Sequence, residues 1–279
     1  MGYVDLHVHS NASDGTFSPD QVVRLAAQAG LDAMALTDHD TTAGVPKALR
    51  AGRLHEVEII PGIEVSSAYE GYEIHILGLF VNPGAPELEA VLEQFRQRRD
   101  RRNATMLERF AADGIFLTQE ELCAGNPHTV ITRAHVARAL LERGLGSTME
   151  QVFKKYLRYN GRYCPPKEYL APEEVLKALL SDGAFVALAH PFQYRLGDKG
   201  TGRLVAYLAG LGMQGLEVYH SSHNRLEIMK LQEMAAGHKL FPTGGSDFHG
   251  SNKPDICIGT GRGGLRVSAL LLEDIKKAR

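Results

Sequence analysis

Short apolar runs alternate with amphipathic segments over the first 80 residues of the chain. Strands are predicted over residues 3–9, 33–37, 58–65 and 72–80. After the first strand, Ser18 and Pro19 begin an amphipathic segment that ends at Gly30, and these residues are typical start and stop signals of a helix. Repeated strand and helix units with short loops predict an α/β fold with a mostly parallel sheet.

The pattern changes near Pro86, and the strand signal is absent until Ala184. One long helix is predicted to end at Gly114, and shorter helices follow in ITRAHVARALLERG and TMEQVFKKYL. The earlier rhythm then resumes with the strands AFVALA, GLEVYHS and LFPTGG. We therefore predict one α/β domain made of residues 1–92 and 168–279, with residues 93–167 as an all-helical insertion that forms a lid over the substrate.

Composition limits the classes of function. The chain of 279 residues carries 31 Lys+Arg and 33 Asp+Glu, a net charge of −2, so no global positive field attracts nucleic acid. Its three cysteines form no CxxC pair, which argues against a disulfide framework or a structural zinc site. No apolar run approaches the roughly 18 residues that span a bilayer, and no signal peptide pattern is visible. We expect a cytoplasmic protein, no membrane association and no obligatory protein partner.

Histidine is the unusual component, with 12 copies. His7 and His9 are two apart in a strand, so their side chains leave the same face, and Asp247 and His249 repeat this spacing after another strand. Further histidines and carboxylates lie in or after predicted strands, namely Asp14, Asp38, His39, Glu64, His75 and His190. Ends of parallel strands converge, and so many ionisable groups are costly to bury without a cation. The pattern therefore predicts a multinuclear metal site, although a single strand histidine is more often a core residue.

These segments resemble the signature motifs of the PHP (polymerase and histidinol phosphatase) family of metal-dependent phosphoesterases. In chain order they are DLHVHSNASDG, LTDHDT, GIEVS, YEIHILG, AHP, GLEVY and GSDFHG. The segments TRAHVARAL and VFKKYL are similar to the branch that contains 3′,5′-nucleotide bisphosphate phosphatases and RNase AM-like 5′-to-3′ exoribonucleases. The resemblance implies a distorted (β/α)7 barrel with the helical insertion.

The resemblance also implies two or three divalent metal ions, with manganese preferred and iron or zinc as alternatives. The implied ligands are His7, His9, Glu64 and Asp247 for the first ion, Glu64, His75 and His190 for the second, and Asp14, His39 and His249 for the third. Attack of metal-bound hydroxide on phosphorus would then release inorganic phosphate.

Other residues are candidates for handling protons and substrate. Asp38 could orient His39 or a water molecule, and His220 or His223 could protonate the leaving group. Candidates for holding the substrate are Arg133, His135, Lys154 and again His223.

Arg133 and His135 can contact the same substrate only if the geometry of their helix allows it. Residues two apart on a regular helix point about 200° from each other, so Arg133 and His135 converge only if Thr132 caps the start of the helix. Lys154 and Lys155 together precede the apolar pair Tyr156 and Leu157, so Lys154 could equally belong to a solvated face.

Two features of the helical insertion allow two interpretations each. The run Arg96, Arg98, Arg99, Arg101 and Arg102 could guide a nucleic-acid strand, or it could form an exposed face that pairs with acidic neighbours. Four tyrosines could stack bases or pack the insertion, namely Tyr156, Tyr159, Tyr163 and Tyr169.

The predicted function is metal-dependent hydrolysis of phosphate esters of nucleotides. The expected reactions are conversion of 3′,5′-nucleotide bisphosphate to nucleoside 5′-monophosphate and phosphate, 5′-to-3′ exonuclease action on short oligonucleotides, or both. One alternative is a small-metabolite phosphatase such as a histidinol phosphatase. Another is an amidohydrolase, which usually has a metal-bridging lysine where this chain carries Glu64 and His75. A non-catalytic nucleic-acid-binding module is the third, and the intact ligand set disfavours it.

Overall fold

Seven strands form a near-closed barrel in the computed structural model, which describes residues 2–123, 130–158 and 160–279. The strands are β1 (Tyr3–Val8), β2 (Ala33–Leu36), β3 (Glu58–Tyr69), β4 (Tyr72–Leu79), β5 (Phe185–Leu188), β6 (Gly215–His220) and β7 (Phe241–Gly245), with β8 (Val267–Ser268) antiparallel to β1. The order in the sheet is β7-β6-β5-β4-β3-β2-β1-β8. The barrel closes beyond β7, where the Asp247 amide donates to the His7 carbonyl at 2.9 Å and the His9 amide donates to the Phe248 carbonyl at 3.0 Å. The predicted seven-stranded α/β barrel is confirmed.

One strand of the barrel runs against the others. β4 is antiparallel to both β3 and β5, whereas the other neighbours within the barrel are parallel. The turn between β3 and β4 contains Glu70 and Gly71, both with positive φ, so a tight hairpin replaces a crossover helix. His75 lies in the first half of β4 and pairs with Ser66 of β3. The reversed direction brings this first half to the end of the barrel where the parallel strands finish, which we call the metal end.

Alternate residues of the strands face two different cores, because side chains in a strand point to opposite faces in turn. Ala35, Leu77 and Phe185 come from three strands and pack together in the interior of the barrel. Their neighbours Ile76 and Val186 pack outwards against the surrounding helices. This two-sided burial explains why these strands are nearly continuous apolar runs in the sequence.

Helices surround the barrel in the described part of the chain. They are α1 (Pro19–Gln28), α2 (Val45–His55), α3 (Pro86–Ala112), α4 (Gln119–Leu122), α5 (Arg133–Glu142), α6 (Met149–Tyr156), α7 (Pro172–Ser181), α8 (Gly197–Gly210), α9 (Arg225–Gly237) and α10 (Ala269–Ala278). The Ser18 amide donates to the Gln21 side chain at 2.9 Å, which agrees with the predicted start of α1. The short α4, α10 and β8 were not predicted. None of the helices in the described ranges is long and apolar enough to cross a membrane.

The helices α3 to α6, which we call the helical segment, have a hydrophobic cluster of their own. The first half of α3 packs Leu88 and Phe95 on the barrel, whereas Met106 and Phe110 of its second half pack against α5 and α6. Because one continuous helix belongs to both cores, the division into residues 1–92 with 168–279 and residues 93–167 stays a prediction.

Tyrosine side chains contribute to the packing of the helical segment. Tyr163 stacks on Phe110 with ring centroids 4.2 Å apart, and Tyr156 is buried beside them. These contacts favour the packing interpretation for both tyrosines. Tyr159 lies outside the described residues.

Candidate metal centre

All nine predicted metal ligands lie together at the metal end of the barrel. The donor atoms form overlapping groups in which every atom lies within 4.8 Å of the others: His9, Asp14, His39 and His249; His7, Glu64 and His190; His7, His9 and Asp247; His39, Glu64 and His75; and His7, Glu217 and His220. The first four groups together contain every ligand that the sequence indicated. The assignment of each residue to one particular ion stays a prediction.

Glu64 lies at the centre of these groups, and its side chain is fully buried. Its Oε1 lies 2.9 Å from Nε2 of His190 and 3.0 Å from Nδ1 of His75. Its Oε2 lies 3.0 to 3.3 Å from a nitrogen of each of three further histidines. Burial alone would raise the pKa of Glu64, but the surrounding imidazoles hold this pKa well below its usual range. The two oxygens therefore face two different sets of ligands, as a bridging carboxylate does.

A histidine that binds a metal is neutral, and hydrogen bonds indicate which ring nitrogen would keep the proton in two of the predicted ligands. Nδ1 of His7 lies 2.9 Å from a carboxylate oxygen of Glu217, which can only accept. Nδ1 of His249 lies 2.9 Å from the backbone carbonyl of Asp247. We therefore assign both protons to Nδ1, which leaves a lone pair on each Nε2. A metal-binding histidine is commonly oriented in this way by an acceptor behind it.

With both rings neutral, their Nε2 lone pairs face other polar atoms of the cluster. Nε2 of His7 lies 3.1 Å from Nε2 of His9, and Nε2 of His249 lies 3.1 Å from Oδ1 of Asp14. Several buried atoms of the cluster also lack a hydrogen-bond partner in the described structure, namely Nδ1 of His9, His39 and His190, Oδ1 of Asp14 and Oε2 of Glu64. Buried acceptors that face one another repel unless a proton or a cation lies among them. The donor set therefore fits divalent cations with mixed nitrogen and oxygen ligands.

Glu217 supports two of the predicted ligands and was missed in the sequence. One oxygen accepts from Nδ1 of His7, and the other accepts from the backbone amide of His190 at 2.6 Å. Its side chain is fully buried in the middle of β6, and the motif GLEVY that contains it predicted no role for it. The sequence did carry one signal for Glu217, namely a carboxylate inside the apolar run GLEVY. A carboxylate in such a run is buried with its strand, and a buried carboxylate needs a hydrogen-bonding or charged partner.

Strained backbone accompanies the centre. His190 and Asp247 have φ of 24° and 58°, and Asp40, next to His39, has φ of 51°. Positive φ is unfavourable for residues with a Cβ and persists where surrounding contacts enforce it, often at functional sites. The strain agrees with a site in which side-chain placement outweighs local backbone preference.

Asp247 has different neighbours on its two oxygens. Oδ1 faces the histidine cluster and lies 3.5 Å from Nε2 of His9. Oδ2 lies 2.6 Å from Nζ of Lys253 and 3.4 Å from Nε2 of His220. Lys253 was not predicted, since it lies in the loop after the last recognised motif. These contacts leave Oδ1 as the candidate ligand atom, while the other oxygen is held by Lys253 and His220.

The two candidate proton donors lie side by side at the edge of the cluster. The rings of His220 and His223 are 5.2 Å apart. Nδ1 of His220 accepts from the Ser222 amide at 3.0 Å, whereas Nδ1 of His223 donates to the Val218 carbonyl at 3.0 Å. Nε2 of His223 is buried with no hydrogen-bond partner in the described structure. Their roles in proton transfer stay predictions.

Asp38 has its contacts in the loop that carries Asp14. Its carboxylate accepts from the Ser10 amide at 2.8 Å and from the hydroxyls of Ser10 and Ser13, each at 2.7 Å. These bonds fix the loop between β1 and α1. The predicted role of Asp38 in orienting His39 or a water molecule stays a prediction.

A cleft of about 230 Å³ extends from the metal end to the helical segment. The predicted ligands Asp14, His39 and His75 form part of its lining. Four cationic side chains also line the cleft, namely Arg99, Arg102, Arg133 and Lys167. Asp40 pairs with Arg99, and Glu73 pairs with Lys167. The cleft therefore joins the candidate metal centre to a positively charged wall.

The predicted substrate-binding residues separate in the structure. Arg133 lines the cleft, and its Nη1 donates to the Leu157 carbonyl at 3.3 Å. Thr132 caps α5 as the prediction required, but His135 is buried with Nδ1 accepting from the Thr132 amide at 3.0 Å. Lys154 is exposed and lies outside the lining of the cleft. Substrate contacts for His135 and Lys154 stay predictions.

The arginine run divides between the two interpretations. Arg99 and Arg102 are three residues apart, share one face of α3 and line the cleft. Arg96 and Arg101 are exposed and lie near glutamates, and Arg98 donates to the Tyr169 carbonyl. Helical spacing was the signal that could have separated Arg99 and Arg102 from their neighbours. Lys167 was missed because only the fold brings its loop to the cleft.

His135 predicts a specific pH dependence of stability. Burial is the main cause that lowers the pKa of His135 to about 4, and Arg138 and Arg99 add to it. The unfolded chain takes up this proton near pH 6.5, so the contribution is complete above that value and is lost as the pH falls towards 4. We expect His135→Gln to remove about 2 kcal/mol of the stability loss between pH 7.5 and pH 5, because glutamine can accept the same bond without titrating. Urea denaturation at both pH values measures this difference.

The control for this experiment is His55→Gln, at an exposed histidine at the end of α2. The control should keep the full pH dependence of the unmodified protein. Equal pH dependence in both variants would contradict the assignment to His135.

The chain is similar in sequence to proteins of known family. The model of the PHP domain family matches residues 5–164. The 5′-3′ exoribonuclease Rnm of Salmonella typhimurium is 37% identical over 253 residues, which cover 88% of this chain and 84% of that protein. A phosphoribosyl 1,2-cyclic phosphate 1,2-diphosphodiesterase of Eggerthella lenta is 35% identical over 88% of this chain and 94% of that protein. A 3′,5′-nucleoside bisphosphate phosphatase of Chromobacterium violaceum is 33% identical over 93% of this chain and 91% of that protein.

The fold also has a close counterpart among solved structures. A crystal structure from Bifidobacterium adolescentis, described as a metal-dependent phosphoesterase, superposes with a TM-score of 0.87 and 30% sequence identity. The match covers 98% of this chain and 95% of that chain, so it includes the barrel and the helical segment together.

Proposed function

Since this chain belongs to the PHP domain family and is a metal-dependent phosphoesterase, we propose that its substrates are nucleotides with more than one phosphate. The proposed reactions are removal of the 3′-phosphate from 3′,5′-nucleoside bisphosphates, which yields nucleoside 5′-monophosphate and phosphate, and shortening of small oligonucleotides from the 5′ end. Two of the relatives carry these activities in their names.

One observation carries the proposal: predicted metal ligands and four cationic side chains line a single cleft. Apart from the predicted ligand Asp14, the lining contains four cationic side chains and two carboxylates, Asp40 and Glu73. These side chains together give the cleft two net positive charges. A phosphate group at the metal centre does not need them, whereas a second phosphate of the same substrate does. A metabolite with a single phosphate would leave this charge unused.

We further propose that the nine predicted ligands hold two or three divalent ions, manganese first and iron or zinc as alternatives. Such ions supply Lewis-acid stabilisation of phosphate oxygens and lower the pKa of coordinated water. Glu64 would be shared between ions, because its two oxygens face different histidines. Glu217 would keep His7 in the tautomer that presents Nε2 to the cluster.

The chain's own cationic residues would fix the substrate. Arg102 is the best placed to receive an anion, since its Nε is buried without a hydrogen-bond partner in the described structure. Arg99 and Lys167 would exchange their pairs with Asp40 and Glu73 for contacts with a phosphate. Binding of the second phosphate would then orient the first towards the metal ligands.

The leaving oxygen needs a proton, and His220 and His223 are the proposed donors because they lie beside the ligand cluster. p-Nitrophenolate is a leaving group that needs no proton. Turnover of p-nitrophenyl phosphate should therefore be insensitive to substitution of the histidine that acts as the acid, whereas turnover of a nucleotide falls. Equal losses on both substrates would contradict an acid role for the substituted histidine.

A turnover panel with added Mn²⁺ tests the substrate assignment. The panel contains adenosine 3′,5′-bisphosphate, a 5′-phosphorylated oligoribonucleotide, a ribose 1,2-cyclic phosphate, histidinol phosphate and a dipeptide-like amide. We expect the highest kcat/KM on the first two compounds. Preference for the cyclic phosphate or for histidinol phosphate would replace the proposed substrate, and activity on the amide alone would contradict phosphoester hydrolysis.

Arg102→Gln tests the role of the positively charged wall. We expect the KM for adenosine 3′,5′-bisphosphate to rise roughly 10- to 100-fold, the loss of one hydrogen bond to a charged group, with a smaller change in kcat. Arg101→Gln is the matched control, because this neighbouring arginine is exposed and lies 4.0 Å from Glu168. A KM that is unchanged in Arg102→Gln, or equally raised in both variants, would contradict this role.

A further inference from the structure

Part of the cleft is apolar, and phosphate binding does not explain it. Met106, Phe153, Cys164 and Pro165 line the same space as the cationic side chains and the predicted metal ligands. Phosphate groups and metal ions gain nothing from such a surface. A substrate that fills the cleft should therefore carry an apolar part as well as its charges.

Phe153 is the member of this surface whose position needs an explanation. Val152, which precedes Phe153 in the chain, and Tyr156, one turn after Val152, are both buried in the cluster of the helical segment. Phe153 lies about 100° further around α6 than Val152, at the edge of this cluster, and its side chain is only partly buried. The ring is the one benzene or phenol ring among the described residues that line the cleft.

The surroundings of the Phe153 ring match the parts of a nucleotide. The guanidinium group of Arg133 lies over the face of the ring, 6.0 Å from its centre. A base that stacks on the ring would thus take a place against this cation, which can also hold a phosphate. Tyr156, Tyr163 and Tyr169 do not line this space, and Tyr163 has its ring against Phe110.

We propose that Phe153 is the platform on which the nucleobase stacks, and that it makes the enzyme prefer nucleotides to sugar phosphates with the same phosphate groups. This inference rests on the proposed function, because it needs a substrate with a base. Stacking on an aromatic ring is tolerant of sequence, since every base has a π-face. The platform therefore selects for the presence of a base rather than for one particular base.

The test compares adenosine 3′,5′-bisphosphate with an abasic ribose 3,5-bisphosphate. In Phe153→Ala, we expect kcat/KM for the nucleotide to fall roughly 10- to 100-fold, whereas kcat/KM for the abasic compound changes less than about twofold. Phe153→Tyr should keep the preference, and Phe153→Leu, which keeps apolar packing without the aromatic face, should lose it. Phe116→Ala is the matched control, because Phe116 lies in the loop between α3 and α4, is 69% exposed and is not among the described residues that line the cleft.

Equal losses on both compounds would assign Phe153 to packing of α6 and overturn the inference. Full kcat/KM on both compounds in Phe153→Ala would overturn it as well. Thermal unfolding of the Leu and Ala variants shows whether the fold is retained.

A binding measurement separates this inference from the proposed function. Calorimetry of the Mn²⁺-loaded protein with adenosine 5′-monophosphate and with ribose 5-phosphate requires no turnover. Tighter binding of the nucleotide, lost in Phe153→Ala, would support the platform even if the bisphosphate is not hydrolysed. Equal affinity of the unmodified protein for both compounds would overturn the platform even if the bisphosphate is hydrolysed.

Discussion

Replacement of Glu64 by glutamine should lower kcat/KM for phosphoester hydrolysis by at least about a thousandfold, because it removes the anion that the ions of the proposed metal centre would share. Both oxygens of Glu64 lie within 3.3 Å of imidazole nitrogens. A glutamine amide carries no charge and presents a donor on one side, so it cannot serve two sets of ligands. We expect the content of bound metal to fall together with activity, as measured by plasma emission on the same preparation.

Glu58→Gln is the control for this substitution. Glu58 begins the same strand, and its exposed carboxylate pairs with Lys276 at 2.8 Å. This control should keep activity and metal content. A Glu64→Gln protein with full metal content and more than about a tenth of the activity would show that Glu64 is not shared between ions.

Glu217→Ala should weaken metal binding by about 10- to 100-fold without removing a ligand, as loss of an outer carboxylate does at other metal sites. The substitution frees the Nδ1 proton of His7 and the amide of His190 from their common acceptor. Competition with a chelator measures the metal affinity. Because the predicted ligands themselves are intact, saturating Mn²⁺ should restore most of the activity.

Rescue by metal distinguishes the two glutamates. Glu64→Gln should stay inactive at every Mn²⁺ concentration, whereas Glu217→Ala should recover. Glu217 also forms a possible ligand group with His7 and His220. Failure of saturating Mn²⁺ to restore Glu217→Ala would therefore assign Glu217 to the ligands and contradict its supporting role.

The positions of the predicted ligands could be read from the sequence for a physical reason. In a parallel barrel the ends of all strands meet, so His9, His39 and His190 needed only the strand pattern to be placed together. His75 was different, because β4 is antiparallel and its histidine lies near the start of the strand rather than the end. The strand pattern does not reveal direction, so this position depended on the family motif.

The residues that were missed depend on contacts between distant parts of the chain. Glu217 is 210 residues from His7, and nothing in its own segment shows that it accepts from that ring. Lys167 and Arg102 reach the cleft from a loop and a helix whose relative placement is a property of the whole fold. Periodicity predicts which face of an element is apolar, but it does not predict what a polar side chain on the other face will contact.

The same limit explains the aromatic residues of the helical segment. The sequence made the tyrosines candidates for stacking or for packing, and Tyr156 and Tyr163 belong to the cluster around Phe110. Phe153 had no distinguishing neighbour in the sequence and lines the cleft. Phe153 differs from these tyrosines because its side chain lines the cleft, and the residue type alone does not indicate this.

The metal centre is tested most directly by the number of ions that the purified chain holds. Protein saturated with Mn²⁺ and freed of excess metal is measured by plasma emission, and release of phosphate from adenosine 3′,5′-bisphosphate is followed before and after chelation. Two or three ions per chain, with activity that chelation removes and Mn²⁺ restores, is the predicted result. Fewer than two bound ions per chain, or phosphate release that survives complete removal of metal, would contradict the proposed centre.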